Sequence, residues 1–295
     1  MRILITGSNG LLGQKIVKLC LKRGLNFIAT SKGDNRNPDC PKDNYLSLDI
    51  SNALEVNQVF QFYYPTHVIH TAAITNVDYC EDHEEECENV NVYATNLLLK
   101  ASIQFKAHFQ LLSTDFVFDG EKGSYKEEDK VNPLSVYAKS KVDGENLVLK
   151  SGYDNWSIVR TIIVYGEGNN LSRSNIVLWG IEALKKGTEL TIVDDQYRAP
   201  TWADDLAWGC LEIIQRDKTG IFHLSGPETM SIIDLVYRIA DYFGFSKDQV
   251  KPIHSNTLNQ AAKRPPKTGF DLSKARLELG YDPMTLEETL DLLKK

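Results

Sequence analysis

Tyr137-Ala138-Lys139-Ser140-Lys141 sets a phenol and an ammonium four residues apart. On a helix, positions i and i+4 share a face, so the two groups would lie side by side. A free phenol titrates near pH 10 and exchanges protons poorly at neutral pH. A neighbouring ammonium favours phenolate, so this spacing predicts a lowered Tyr137 pKa and a side chain that trades a proton with a substrate oxygen. Upstream, Leu111-Leu112-Ser113-Thr114-Asp115 puts hydroxyls at the carboxyl end of an expected strand, where ligands gather in open α/β sheets. Thr114 could hydrogen-bond a carbonyl oxygen beside the Tyr137 hydroxyl and polarise it for reduction. Taken singly, the pair could be an ordinary surface-helix pair and Thr114 a turn-forming hydroxyl.

A third element gives these residues a context. Thr6-Gly7-Ser8-Asn9-Gly10-Leu11-Leu12-Gly13 lies between an expected first strand and first helix. Gly7, Gly10 and Gly13 place positions without side chains where backbone approaches a diphosphate and where helix packs on sheet. The helix N-terminus then offers free N–H groups to the phosphates. A dinucleotide site is expected, with Gly7, Ser8, Asn9, Gly10, Leu11, Leu12 and Gly13 forming the turn. The second strand ends Ala29-Thr30-Ser31-Lys32, with no acid before Asp34. An NAD-selective site usually carries an acid there. Ser31 and Lys32, with Arg36, could instead receive a 2′-phosphate, so NADP is preferred over NAD; Lys32 as a plain solvated loop lysine is the alternative.

The elements that must position these groups alternate along the first half. Strands are expected at Arg2–Ile5, Asn26–Thr30, His67–Thr71, Phe109–Ser113 and Ser157–Arg160, and helices at Leu12–Lys22, Asn52–Tyr63, Glu84–Ser102 and Ser135–Lys150. That rhythm predicts an α/β fold, a Rossmann-type doubly wound parallel sheet. Residues 1–160 read as the NAD(P)-binding domain. Residues 161–295 read as a smaller, mainly substrate-binding domain, with helices at Ser231–Gly244 and Leu286–Lys294, a strand at Ile221–Leu224, and some segments returning to the first domain. The 295 residues carry 33 Lys+Arg against 40 Asp+Glu, a net charge of −7, with 42% hydrophobic residues. This excludes a disordered chain, and the acidic balance argues against a nucleic-acid partner. No apolar stretch is long enough to span a membrane, and Met1-Arg2 leads straight into Ile3-Leu4-Ile5 without a secretory leader. Five scattered cysteines read as reduced thiols of a cytoplasmic protein.

Glycine turn, Thr114 and the Tyr137/Lys141 pair, in this order, resemble the extended short-chain dehydrogenase/reductase family. The likeness is nearest to its branch of dTDP-4-dehydrorhamnose reductases. Ser113-Thr114-Asp115-Phe116-Val117-Phe118-Asp119-Gly120 is similar to that branch's Ser-Thr-Asp-Tyr-Val-Phe-Asp-Gly signature. His70 to Asp78, Arg160-Thr161, Val164-Tyr165-Gly166, Gly168-Asn169-Asn170, Asp195-Gln196 with Ala199-Pro200-Thr201, and Arg264-Pro265 match further pieces. The resemblance implies Thr114, Tyr137 and Lys141 as the catalytic set, with Tyr137 protonating the C4 oxygen and Lys141 holding the nicotinamide ribose. It implies that Asp49 and Ile50 contact adenine, that Ala72, Ala73 and Thr75 line the cofactor, and that Val77 lies near substrate. It further implies reduction of a nucleotide-linked 4-keto sugar, dTDP-4-dehydro-L-rhamnose first, and is compatible with a homodimer.

The chain departs from the branch at three positions. Phe116 replaces a tyrosine and Ile163 a tryptophan, removing a hydroxyl and an aromatic platform near the sugar. Arg198 stands where the branch has glycine and reads either as a ligand for substrate phosphate or as a surface residue. Together with Thr114 and Asp115, these positions are the expected substrate contacts. Cys80, His83 and Cys87 could meet on a helix, but three ligands fall short of a structural zinc site, so no metal is expected. Asn91 matches a family asparagine whose role could be structural. Two rival functions keep the same motifs: a nucleotide-sugar epimerase or dehydratase that recycles its cofactor, and a non-catalytic subunit resembling the methionine adenosyltransferase β subunit.

Overall fold

Ile3, Leu4 and Ile5 form a continuous apolar run, and all three are buried, the pattern of a strand covered on both faces. The computed structural model describes residues 1–258 and 260–294. Its central sheet has seven strands: β1 (Arg2–Thr6), β2 (Asn26–Ser31), β3 (Tyr45–Ser47), β4 (His67–His70), β5 (His108–Thr114), β6 (Trp156–Thr161) and β7 (Gly220–His223). All pair in parallel, in the order β7-β6-β5-β4-β1-β2-β3. The order reverses between β1 and β4, opening a crevice at their carboxyl ends. Register places Thr6 beside both Thr30 and His70, and Thr114 beside Thr161, so hydroxyls line that edge.

The helices are α1 (Leu11–Lys22), α2 (Ala53–Tyr63), α3 (Val77–Asp82), α4 (Glu84–Glu88), α5 (Ala94–Gln104), α6 (Val136–Leu149), α7 (Ile176–Lys185), α8 (Ala203–Gln215), α9 (Ile232–Phe243), α10 (Ser273–Leu279) and α11 (Leu286–Leu293). One face of the sheet is covered by α1, α8 and α10, through Leu12, Ile16, Val17, Leu206, Cys210, Ile214 and Ala275. The other is covered by α2, α5 and α6. A third apolar cluster joins α7, α9 and α11 around Tyr165, Trp202, Leu235, Ile239 and Leu290. The strand β7 and helices α8 and α10 follow residue 161 in the chain yet belong to the central sheet's layers.

The single helix expected over Glu84–Ser102 is instead α4, a five-residue π turn over Asn89–Tyr93, and α5. A shorter helix, α3, precedes it, capped by Asn76. The five cysteines are free and buried. Among the described residues, no helix is long and apolar enough to cross a membrane.

Candidate active site

The glycine turn packs so closely that side chains are excluded. Gly7 has φ +73°, and a Cβ there would lie 2.7 Å from Ala72 N; one on Gly13 would lie 2.4 Å from Gly7 O. Gly10 caps α1 with no side-chain acceptor, so the first-turn N–H groups face the crevice edge without an internal cap. Ser8 Oγ is buried and has no hydrogen-bond partner among the described residues. A cradle without Cβ atoms, an uncapped helix start and an orphaned hydroxyl fit the diphosphate of a dinucleotide. Asn9 braces the rim: its N–H donates to Ser31 Oγ (3.0 Å), its Nδ2 donates to Asp34 O (2.8 Å), and its Oδ1 accepts from Arg36 N (2.8 Å).

At the adenosine end, the largely exposed Lys32 ammonium meets Asp49 Oδ2 at 2.7 Å. That hydrogen bond, then one from Ser51, holds the Asp49 carboxyl down to about 2. The Ile50 side chain packs into the sheet core with Leu48 and Val56. Past β4, Ala72 and Ala73 are half-buried and Thr75 is exposed. This segment is pinned by Asn91, which accepts from Ile74 N (2.8 Å) and donates to Ile74 O (3.0 Å) and Ser140 Oγ (3.0 Å). The π turn aims that carboxamide inward, a common use of such irregular turns.

Ser135 caps α6 through Ala138 N (3.2 Å), and the helix turns Tyr137 and Lys141 inward, 8% and 5% exposed. Thr114, at the end of β5, donates to Asp115 Oδ1 (3.0 Å) and lies within hydrogen-bonding reach of the Tyr137 phenol. Thr114 and Tyr137 are therefore brought together, and Lys141 lies one helical turn further along the same buried face of α6. The expected acidification of the phenol is not what the structure shows: burial pushes Tyr137 above its ordinary pKa, Asp115 adds to the rise, and the cation that lowers it is Arg173. Burial also pushes Lys141 down to about 8, with Glu145 opposing. Desolvation outweighs the pairing that spacing alone suggests: both groups are buried, and Tyr137 sits in an apolar wall. That wall is Cys80, Cys87, Ile74, Val77, Phe116 and Val136.

On the substrate side, the Phe116 ring meets Tyr137 edge-on at 6.1 Å, and the Arg198 guanidinium covers Phe116 at 5.4 Å. Neither expectation for Arg198 survives. It is 2% exposed, so it is no surface residue. Its donors are spent on the carbonyls of Tyr197 (2.7 Å), Pro265 (2.7 Å) and Pro266 (3.2 Å), and its Nε lies 3.7 Å from Asp115, leaving little for a phosphate. Asp115 is fully enclosed, and accepts from Thr268 as well; burial raises its pKa. Ile163, a β-branched residue, is held at φ +32° just past β6, a strained geometry of the kind that clusters at functional sites.

Cys80 and Cys87 pack against Tyr137, whereas His83 stacks on Tyr79 at 3.8 Å. No three His, Cys, Asp or Glu side chains are grouped to hold a metal among the described residues. Two features escaped the sequence. The Asp78–Arg264 ion pair (2.5 Å) ties α3 to the C-terminal segment, and Arg173 donates to Thr75 Oγ1 across the cleft. Neither has a local spacing signal, since both join residues about a hundred or more apart.

Residues 1–294 match the model of the family described as RmlD substrate binding domain. The dTDP-4-dehydrorhamnose reductase of Aggregatibacter actinomycetemcomitans is 32% identical, over 98% of this chain and 97% of its own. The Methionine adenosyltransferase 2 subunit beta of Danio rerio is 33% identical, over 94% of this chain and 84% of its own. Among solved structures, dTDP-4-dehydrorhamnose reductase from Bacillus anthracis in complex with NADP superposes with a TM-score of 0.85 at 29% identity, covering 99% of this chain and 97% of its own.

Proposed function

The chain belongs to the RmlD substrate binding domain family, and from that premise we propose that it is an NAD(P)H-dependent reductase of a nucleotide-linked 4-keto sugar, with dTDP-4-dehydro-L-rhamnose as substrate and dTDP-L-rhamnose as product. The observation that carries this reading is the buried Tyr137 phenol beside Thr114 at the carboxyl end of β5. Gly7 to Gly13, Ser31, Lys32 and the Ala72–Thr75 segment would hold the cofactor; NADP is preferred because the β2 end offers Ser31 and Lys32 and no acid. When bound, the reduced nicotinamide supplies a hydride to C4.

Burial keeps Tyr137 neutral at physiological pH, which is the form that donates a proton to the C4 oxygen. Thr114, turning its one hydroxyl proton away from Asp115 Oδ1, donates a second hydrogen bond to that oxygen, polarising the carbonyl before transfer. Lys141, charged below about pH 8, stabilises the phenolate left behind and helps return its proton. Val77, Phe116 and Ile163 form the apolar side on which the sugar rests, with Asp115 and Arg198 bracing it from behind. A reducing cytoplasm suits five buried free thiols.

The test is oxidation of NADPH, with NADH in parallel, against a panel of nucleotide 4-keto sugars; turnover with none of them would sink the assignment. The likeness to Methionine adenosyltransferase 2 subunit beta, as high in identity as that to a reductase, supports a second reading as a non-catalytic subunit. That reading expects cofactor binding without NADPH consumption and a stable complex with a partner enzyme.

A further inference from the structure

The loop between Gly166 and Asn175 is closed at its base, where Asn175 Nδ2 donates to Gly166 O (2.8 Å) and Asn175 Oδ1 caps α7 through Leu178 N (3.2 Å). From that base it reaches three separate elements. Asn169 exchanges two hydrogen bonds with Gln14 of α1 (2.7 and 2.8 Å), Asn170 Nδ2 donates to Arg36 O beyond β2 (3.1 Å), and Arg173 donates to Thr75 Oγ1 beyond β4. These anchors follow the carboxyl edge of the sheet, the line a bound dinucleotide takes. The strap therefore crosses the cleft mouth and ends with a cation at the reacting end, where its charge is felt at Tyr137.

Among the described residues, three other cations near that end are engaged. Arg198 is committed to three carbonyls, Arg264 to Asp78, and Lys141 is enclosed in α6. Arg173 is exposed, and it bonds a neutral hydroxyl. A nucleotide sugar carries its diphosphate one hexose ring away from the carbonyl that Tyr137 addresses. A guanidinium exchanges a hydroxyl for a phosphate oxygen readily, because charge and fork geometry both favour the anion. We propose that Arg173 recognises the diphosphate of the nucleotide sugar, leaving Thr75 when substrate binds. This inference rests on the nucleotide-sugar reading above.

Titration calorimetry of the full chain and of Arg173→Gln and Arg173→Lys with dTDP, thymidine and NADPH tests it. Arg173→Gln should weaken dTDP binding by about 10- to 100-fold, the range for a charge-assisted hydrogen bond, with thymidine and NADPH changed less than about twofold. Arg173→Lys should recover part of the loss, and KM for the sugar should rise more than kcat falls. Unchanged dTDP affinity in Arg173→Gln overturns the inference alone. So does a loss confined to NADPH, which would assign the cation to the cofactor's diphosphate. A wild-type protein that binds NADPH but no dTDP overturns the nucleotide-sugar reading as well.

Discussion

Burial acts in opposite senses on the two groups of α6: it holds Tyr137 protonated and draws Lys141 down to about 8. Tyr137→Phe removes the donor while keeping the ring in its apolar wall, so NADPH binding should persist and turnover fall about 100-fold or more. Comparing Kd for NADPH with kcat checks this; unaltered turnover would remove the tyrosine from its role. Because the lysine's pKa is lowered, its charge is complete well below pH 8 and is lost as pH rises through that value. Activity should therefore decline on the alkaline side of pH 8, and the residual activity of Lys141→Arg, whose guanidinium keeps its charge, should lack that limb in a kcat/KM profile. The identities of both residues were legible from a four-residue spacing. Their protonation states were not, because they depend on burial: Cys80, Cys87, Val77 and Phe116 converge on Tyr137 from three other segments, and Glu145 and Cys87 neighbour Lys141. Arg198 was misread for the same reason, since two of its three carbonyl partners, on Pro265 and Pro266, stand 67 and 68 residues downstream.

Between β4 and α6, the π turn at Asn89–Tyr93 acts as a small peg, holding the main chain of Ile74 through one carboxamide. Asn91→Leu keeps the volume but leaves Ile74 N and O without partners, at a cost of roughly 1–3 kcal/mol. Urea denaturation should show that loss, and NADPH affinity should fall with it, since the pinned segment carries Ala72, Ala73 and Thr75. At this scale six of the seven sheet strands and the first helix could be read from apolar runs and from glycines that a Cβ would spoil; β3, three residues long, was not among them. The break in the long helix could not, because its cause is a tertiary contact rather than a local propensity. Nor could α3, whose six residues show too little periodicity to stand out.

Across the whole molecule, a buried polar seam links four elements of the sheet layer. Ser113 of β5 donates to Glu145 of α6 (2.5 Å), Glu145 pairs with Arg160 of β6 (2.7 Å), and Arg160 lies 3.4 Å from His223 of β7. Removing one partner strands the other charge, so Glu145→Ala should cost about 3–5 kcal/mol in a denaturant titration. His70 and His223 are held neutral, both pushed down to about 3, chiefly by burial. Unfolded, each would take up a proton near pH 6.5, so their contribution is present above that value and drains away as pH falls toward 3. At pH 5 the loss is about 2 kcal/mol for each histidine, and thermal melting should move down several degrees between pH 7 and pH 5; a flat profile would contradict the buried neutral rings. The outermost strand has a consequence for engineering. Because β7 is supplied by residues 220–223 yet lies against β6, severing the polypeptide after Thr161 would strip the sheet of its rim and bare an unsatisfied ladder, a template for aggregation. Relatives cannot trade front and back halves like cassettes: a chimera that stays soluble must carry 203–223 along with its donor's nucleotide-binding half.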